Sequence, residues 1–269
     1  MSNVFGKSFE FDGVSSSVFK AVLCSFDTVD VTRETGINYD IQQGDITPHR
    51  PIANYYNKKY NKPLDFQIEI CKPCDSTGYF TKEEQKQIVR WITSPVDYRK
   101  FTILDNESDG YHDGIEYFVI CTGYQEKVIN DKIIGLYFSF QCNAPYGYYT
   151  EQITTFDTSV NTEIAIDNYS DELEVDYYPI IELTAGQTGK VTIKNAAYPD
   201  NVMELSVKNG QTLIIDNNAC DITDNIGLFS YDTDTNLKWI SLVNGNNTLT
   251  VTGNATGKVR CRYPRKVGI

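Results

Sequence analysis

Histidine is nearly missing from this chain. His49 and His112 are the only two in 269 residues, and neither stands beside a Ser or Cys in a recognisable nucleophile motif. A catalytic triad is therefore not indicated. No segment approaches ~18 consecutive apolar residues, which excludes membrane insertion by a hydrophobic helix. The opening Met1-Ser-Asn-Val-Phe-Gly-Lys7 has neither a charged stretch running into an apolar one nor a small-residue cleavage site, so the chain is expected to be made and kept in the cytosol. Its Asn-x-Ser/Thr sites at Asn106, Asn168, Asn246 and Asn254 then carry no sugar. Basic residues are short, 24 against 36 acids for a net charge of -12, and this repels phosphate backbones and anionic membranes, so no nucleic-acid binding is expected. No Gly-rich phosphate loop occurs, and no cofactor is expected. The seven cysteines are odd in number and scattered, which fits reduced thiols better than a disulfide framework.

Aromatic residues, by contrast, are plentiful: they make up 13% of the chain, led by 19 tyrosines, a composition suited to half-wet β-sheet surfaces. The length points to two domains. In the first half the one convincing helix spans about residues 81–93. Thr81 and Glu84 stand at capping-box spacing, Ile88, Trp91 and Ile92 share a face, and Pro95 ends the helix. Alternation before and after it, in Phe66-x-Ile68-x-Ile70 and in Leu136, Phe138, Phe140 and Cys142, predicts a sheet for that face to cover. Before Phe66, and after an opening strand text of Phe9, Phe11, Phe19, Val22 and Phe26, lies a polar arm, about residues 35–63, carrying Pro48, Pro51 and Pro63. It is expected to be extended and loop-like and to touch a neighbour.

Beyond Tyr148 no helical periodicity remains. Short alternating runs predict eight strands near 174–178, 180–184, 190–193, 203–207, 212–215, 237–242, 248–252 and 259–263, with Asn209-Gly and Asn244-Gly as turns. Antiparallel strands of this kind predict a sandwich. Residues 1–148 and 149–269 are thus expected to be separate domains. Splitting the charge at residue 150 leaves 15 basic against 20 acidic residues before it and 9 against 16 after it, so neither half has a basic face.

Several groups resemble chemical sites, and each has a plainer reading. Asp105-Asn-Glu107-Ser-Asp109-Gly110 with Glu116 at the twelfth position has calcium-loop spacing. Glu at the third position, His112 at the eighth and strand text on both sides favour an acidic hairpin tip, and no metal is expected. Asp232-Thr-Asp-Thr-Asn236 fails sooner, for want of the Gly and the final Glu. Cys71-Lys-Pro-Cys74 has the spacing of a zinc knuckle or redox pair, but no second pair follows and a turn is favoured. In Asp171-Glu-Leu-Glu-Val-Asp176, alternation places Glu172, Glu174 and Asp176 on one solvated strand edge. Trp239 is either core or an exposed platform for stacking a sugar ring.

Five segments, taken in order, resemble the distal tail proteins of long-tailed, non-contractile bacteriophages. They are Phe9-Glu-Phe-Asp-Gly13, Asn61-Lys-Pro-Leu-Asp-Phe-Gln-Ile-Glu-Ile70, Ile88-Val-Arg-Trp-Ile92, Phe138-Ser-Phe-Gln-Cys-Asn-Ala-Pro-Tyr146 and Asn244-Gly-Asn-Asn-Thr-Leu-Thr-Val-Thr-Gly253. The resemblance covers nearly the whole chain. It implies a mainly β protein of two sandwiches, the first with its helix and arm, the second galectin-like or carbohydrate-module-like. It also implies a structural virion protein without enzymatic activity, assembled as a hexameric ring at the tail tip. Such a ring joins the tail tube to the baseplate or receptor-binding proteins. The alternative is a carbohydrate-binding module that meets the bacterial surface through the second half, with Trp239 as its platform.

Overall fold

Large apolar side chains at every second position build the first half. The computed structural model describes residues 8–24, 26, 39–49, 51–73, 78–104 and 114–266, and it divides into two units, Met1–Tyr148 with Lys266–Ile269, and Tyr149–Arg265. In the first unit lie strands β1 (Ser8–Phe11), β2 (Val14–Ser15), β3 (Val22–Cys24), β4 (Tyr39–Gln43), β5 (Tyr55–Tyr60), β6 (Asp65–Cys71), β7 (Arg99–Leu104), β8 (Ile115–Ile129) and β9 (Lys132–Cys142), with β10 (Gly147–Tyr149) at its end. Seven of them form an antiparallel path in the order β2-β1-β7-β8-β9-β6-β3. The register of β6 on β9 sets Phe66 opposite Phe140, Ile68 opposite Phe138 and Ile70 opposite Leu136.

This sheet folds over on itself. Three strand spacings of about 4.8 Å separate β6 from β7 across a flat sheet, yet the rings of Phe66 and Phe101 lie 5.6 Å apart, and Phe101 is equally close to Phe140. The fold makes one aromatic core of the two faces. Phe9, Ile70, Phe101, Leu136 and Phe138 are fully buried in it, each such side chain contributing roughly 1.5–3 kcal/mol. Gly135 on β9 lets the chain close over Phe26, whose ring would stand 2.2 Å from any Cβ there.

Helix α1 (Lys82–Thr93) starts as its sequence predicts. Thr81 Oγ1 accepts from the Glu84 N–H at 3.2 Å, and Glu84 Oε2 accepts from the Thr81 N–H at 2.9 Å. Ile88 and Ile92 are buried in the sheet core, while Trp91 stacks on Phe19 at 4.6 Å and on Phe9 at 5.7 Å. The helix N-terminus is also tied to β6, because Glu84 takes the ammonium of buried Lys72 at 2.5 Å.

The second unit is a two-sheet sandwich. Five strands, β11 (Gln152–Asp157), β13 (Ile180–Ala185), β16 (Thr212–Asp216), β17 (Asp221–Asp224) and β19 (Ala255–Cys261), pair in the order β11-β19-β13-β16-β17. Four more, β12 (Glu163–Asn168), β14 (Gly189–Asn195), β15 (Val202–Val207) and β18 (Gly245–Thr252), pair as β12-β18-β14-β15, and the short β20 (Pro264–Arg265) follows. Inward residues such as Leu183, Ile193, Leu205, Leu213, Leu249 and Val259 form its core. Gly257 on β19 is required by close approach, since a Cβ there would meet the Glu182 carbonyl oxygen at 2.1 Å.

Two expected strands are absent. Residues 237–242 form no ladder although Ile240 and Leu242 are fully buried, and residues 174–178 meet them through the reciprocal bonds of Tyr177 with Leu242 and a bond from the Ser241 hydroxyl to the Asp176 carboxylate. The acidic run Asp171–Asp176 is accordingly a turn instead of a strand edge. Asparagine side chains, those of Asn168 and Asn217 buried and that of Asn201 half-buried, supply the hydrogen bonds a sheet would have supplied. Asn168 Nδ2 donates to the carbonyls of Leu242 and Val243, Asn217 Oδ1 accepts from the Ile240 N–H, and Asn201 Nδ2 donates to the Trp239 carbonyl. Strands β11, β12 and β17 are additions to the expected set. Asn209-Gly210 is a turn as expected, with φ of 75° at Gly210, but it joins strands of different sheets.

Candidate functional site

The arm is exposed along both of its strands. Where an open loop is expected, β4 and β5 pair antiparallel, Tyr39 opposite Tyr60 and Ile41 opposite Lys58, with a bulge after Gln42. Extended, β-prone Tyr-Tyr-Asn-Lys-Lys-Tyr text explains the pairing, since polar composition does not prevent it. Tyrosines hold the root. The rings of Tyr39 and Tyr60 lie 4.7 Å apart with their hydroxyls 3.2 Å apart, Tyr146 meets Tyr60 edge-on at 5.8 Å, and the Lys58 ammonium sits 4.5 Å above Tyr39.

No residue of either arm strand is buried. Ile41, Ile46, Ile52, Tyr55 and Tyr56 are 63%, 62%, 77%, 62% and 67% exposed. Sequence reading placed a contact-making arm here without identifying these five side chains, because they lack the strict alternation that marks a buried face. A lone two-stranded ribbon is marginal in water, and clustered exposed apolar groups mark a surface that something else covers.

The other candidates fall elsewhere. Asp105, Glu107 and Asp109 lie outside the described residues, as do Cys74 and His112. Glu116 begins the inner part of β8, largely buried, with its carboxylate 3.5 Å from Lys100 Nζ. Among the described residues no group of three or more His, Cys, Asp or Glu side chains is placed to hold a metal ion, and no helix is long and apolar enough to cross a membrane. Cys71, on β6, accepts a hydrogen bond from the thiol of Cys24 on β3. That bond holds Cys71 below the ordinary thiol range and pushes Cys24 well above it. Burial pushes the Cys142 thiol up to about 12 and the Cys261 thiol up to about 11. Trp239 is half-buried and packs against the core of the second unit.

Comparison with known proteins places this geometry. A family model described as phage tail protein N-terminal domain matches residues 5–144, and one described as phage tail C-terminal domain matches residues 146–261. No curated protein matches the chain. Among solved structures, the Dit protein of phage SPP1, described as a paradigm of the hub adsorption apparatus in phages infecting Gram-positive bacteria, is 12% identical. The match covers 96% of this chain and 99% of that one at a TM-score of 0.63. A chain of the phage P2 baseplate in its activated, calcium-bound conformation is 8% identical over 97% of this chain and 99% of that one, with a TM-score of 0.54. At such identities the likeness is one of fold. With both domain models matched in order along its length, the chain belongs to the phage tail protein family, as a structural component of the virion.

Proposed function

We propose that this protein is the hub at the distal end of the tail, a homo-oligomeric ring, expected to be a hexamer, that joins the tail tube to the baseplate or receptor-binding proteins. One observation carries the oligomer: a two-stranded arm with five exposed isoleucine and tyrosine side chains and, among the described residues, none buried, which a neighbouring copy would cover. The fold shared with hub and baseplate chains supports the place in the tail. A net charge of -12 suits a ring through which DNA passes without sticking.

Native mass spectrometry of the full chain against a variant lacking residues 38–60 tests the arm. Rings should give way to folded monomers, and intact rings in the deletion variant would overturn its role. The double substitution Ile46→Lys with Ile52→Lys should act in the same direction while leaving both cores untouched. The carbohydrate-module reading has less support, because Trp239 packs against the core instead of standing clear of it.

A further inference from the structure

The sandwich of the second unit seals two of its sheet edges and leaves two open. On β17, the Tyr231 hydroxyl accepts from the Ile222 N–H at 2.6 Å and reaches the Ile222 carbonyl at 3.2 Å. On β15, the Ser206 N–H donates to the Asp234 carbonyl at 2.8 Å, Asn236 Oδ1 accepts from the Glu204 N–H, and Leu205 bridges to Thr235. One long loop thus covers the last strand of each sheet. The first strands have no such cover. β11 pairs only with β19 and β12 only with β18, so Ile153, Thr155, Ala165 and Asp167 turn their N–H and C=O groups away from any neighbour among the described residues, whereas the Asp157 carbonyl accepts from the Val160 and Asn161 N–H groups and the Glu163 N–H donates to Asn161 Oδ1.

Residues of both strands line an open groove of roughly 570 Å³. Buried Phe156 and Ile164 line it together with Thr154 and Ala165, and Asp157 and Glu163 give it an acidic character. Neither strand carries a Lys or Pro to blunt its edge, and the charges they do carry, Asp157, Glu163 and Asp167, are all acidic. A row of unpaired backbone groups is complementary to one chemistry, an extended backbone, and the groove gives its side chains a place to enter. The nearby cations Lys258 and Arg260 are engaged by Glu182, and Arg260 also by Glu151, so the acidic groove favours a segment flanked by basic residues.

We propose that the β11–β12 seam is a docking site for an extended, basic-flanked segment of a partner protein, which adds to the sandwich as a further strand. The test is amide hydrogen exchange on the full chain, alone and with a synthetic peptide of alternating Thr and Val ended by lysines. Alone, the open amides of β11 and β12 should exchange faster than those of β15 and β17. With peptide, protection should rise within residues 152–157 or 163–168. The same peptide N-methylated at alternate residues should bind about tenfold more weakly or not at all, as should the unmodified peptide to an Ala165→Lys variant. Slow exchange at both edges of the free chain, equal binding of the N-methylated peptide, or no gain in protection would each overturn the proposal. So would concentration-dependent self-association that Ala165→Lys abolishes, which would make the occupant a second copy.

Discussion

Asn195 and Asn247, buried on the neighbouring strands β14 and β18, meet through a side-chain hydrogen bond, Nδ2 of Asn195 to Oδ1 of Asn247 at 2.9 Å. Asn195 Nδ2 also donates to the Ser241 carbonyl at 2.7 Å, and Asn247 Oδ1 also accepts from the Val243 N–H at 3.0 Å. Two side chains thereby do for residues 241–243 what a strand partner does elsewhere.

Asn195→Ala should destabilise the second unit by about 2–4 kcal/mol, because it strips the Ser241 carbonyl of the Asn195 donor and takes one of the two donors from buried Asn247 Oδ1. Asn246→Ala, on the exposed neighbour, should change stability by no more than about 0.5 kcal/mol. Each unit holds one tryptophan, so urea unfolding followed through Trp239, in a Trp91→Phe background, reads this unit alone.

Trp91 gives a matching test in the first unit. Its ring lies among Phe9, Phe11 and Phe19, and its Nε1 has no acceptor among the described residues. Trp91→Ala should cost about 3–5 kcal/mol, while Trp91→Phe, which keeps an aromatic ring and removes an unmatched donor, should cost less than half as much. Thermal unfolding by circular dichroism compares the two.

Glu84 links the helix to the sheet and sets a pH dependence. The Lys72 ammonium, and after it the Thr81 N–H, hold its carboxyl at about 2. A depressed carboxyl stabilises the fold fully above its unfolded value of about 4.3 and ceases to do so as pH falls through its folded value. The first unit should therefore lose this contribution between about pH 4 and pH 2, and Glu84→Gln should flatten the slope of melting temperature there. At neutral pH the same substitution should cost about 1–2 kcal/mol, because the buried Lys72 loses its counter-charge.

Gly257 should tolerate no side chain. An alanine Cβ would meet the Glu182 carbonyl at 2.1 Å and the Phe156 ring at 2.7 Å, and β19 sits between two other strands with no room to retreat. Gly257→Ala should cost more than about 3 kcal/mol. Gly189→Ala, with open space around it, should be near neutral. Expression level and melting temperature distinguish the outcomes.

Local signals placed much of this architecture correctly. Thr81, Glu84, Ile88 and Ile92 specify a helix through bonds and periodicity contained within a dozen residues, and the helix appears where they stand. Strands β13, β14, β15, β16 and β18 likewise follow their alternation. The same rule failed at residues 237–242, where alternation is present but the partners are asparagines dozens of residues away.

Of the candidate site, the sequence identified an arm that departs from the packed text around it. That the arm is a paired ribbon, and which five apolar side chains it exposes, depended on the strands and side chains that lie beside it in three dimensions. The open seam beside β11 and β12 was equally hidden. An edge is a property of sheet order, and two strands of similar composition become sealed or unsealed according to where a distant loop comes to rest. Short-range hydrogen bonding and hydrophobic period are written along the chain, whereas exposure and edge pairing arise only when remote segments compete for the same surface.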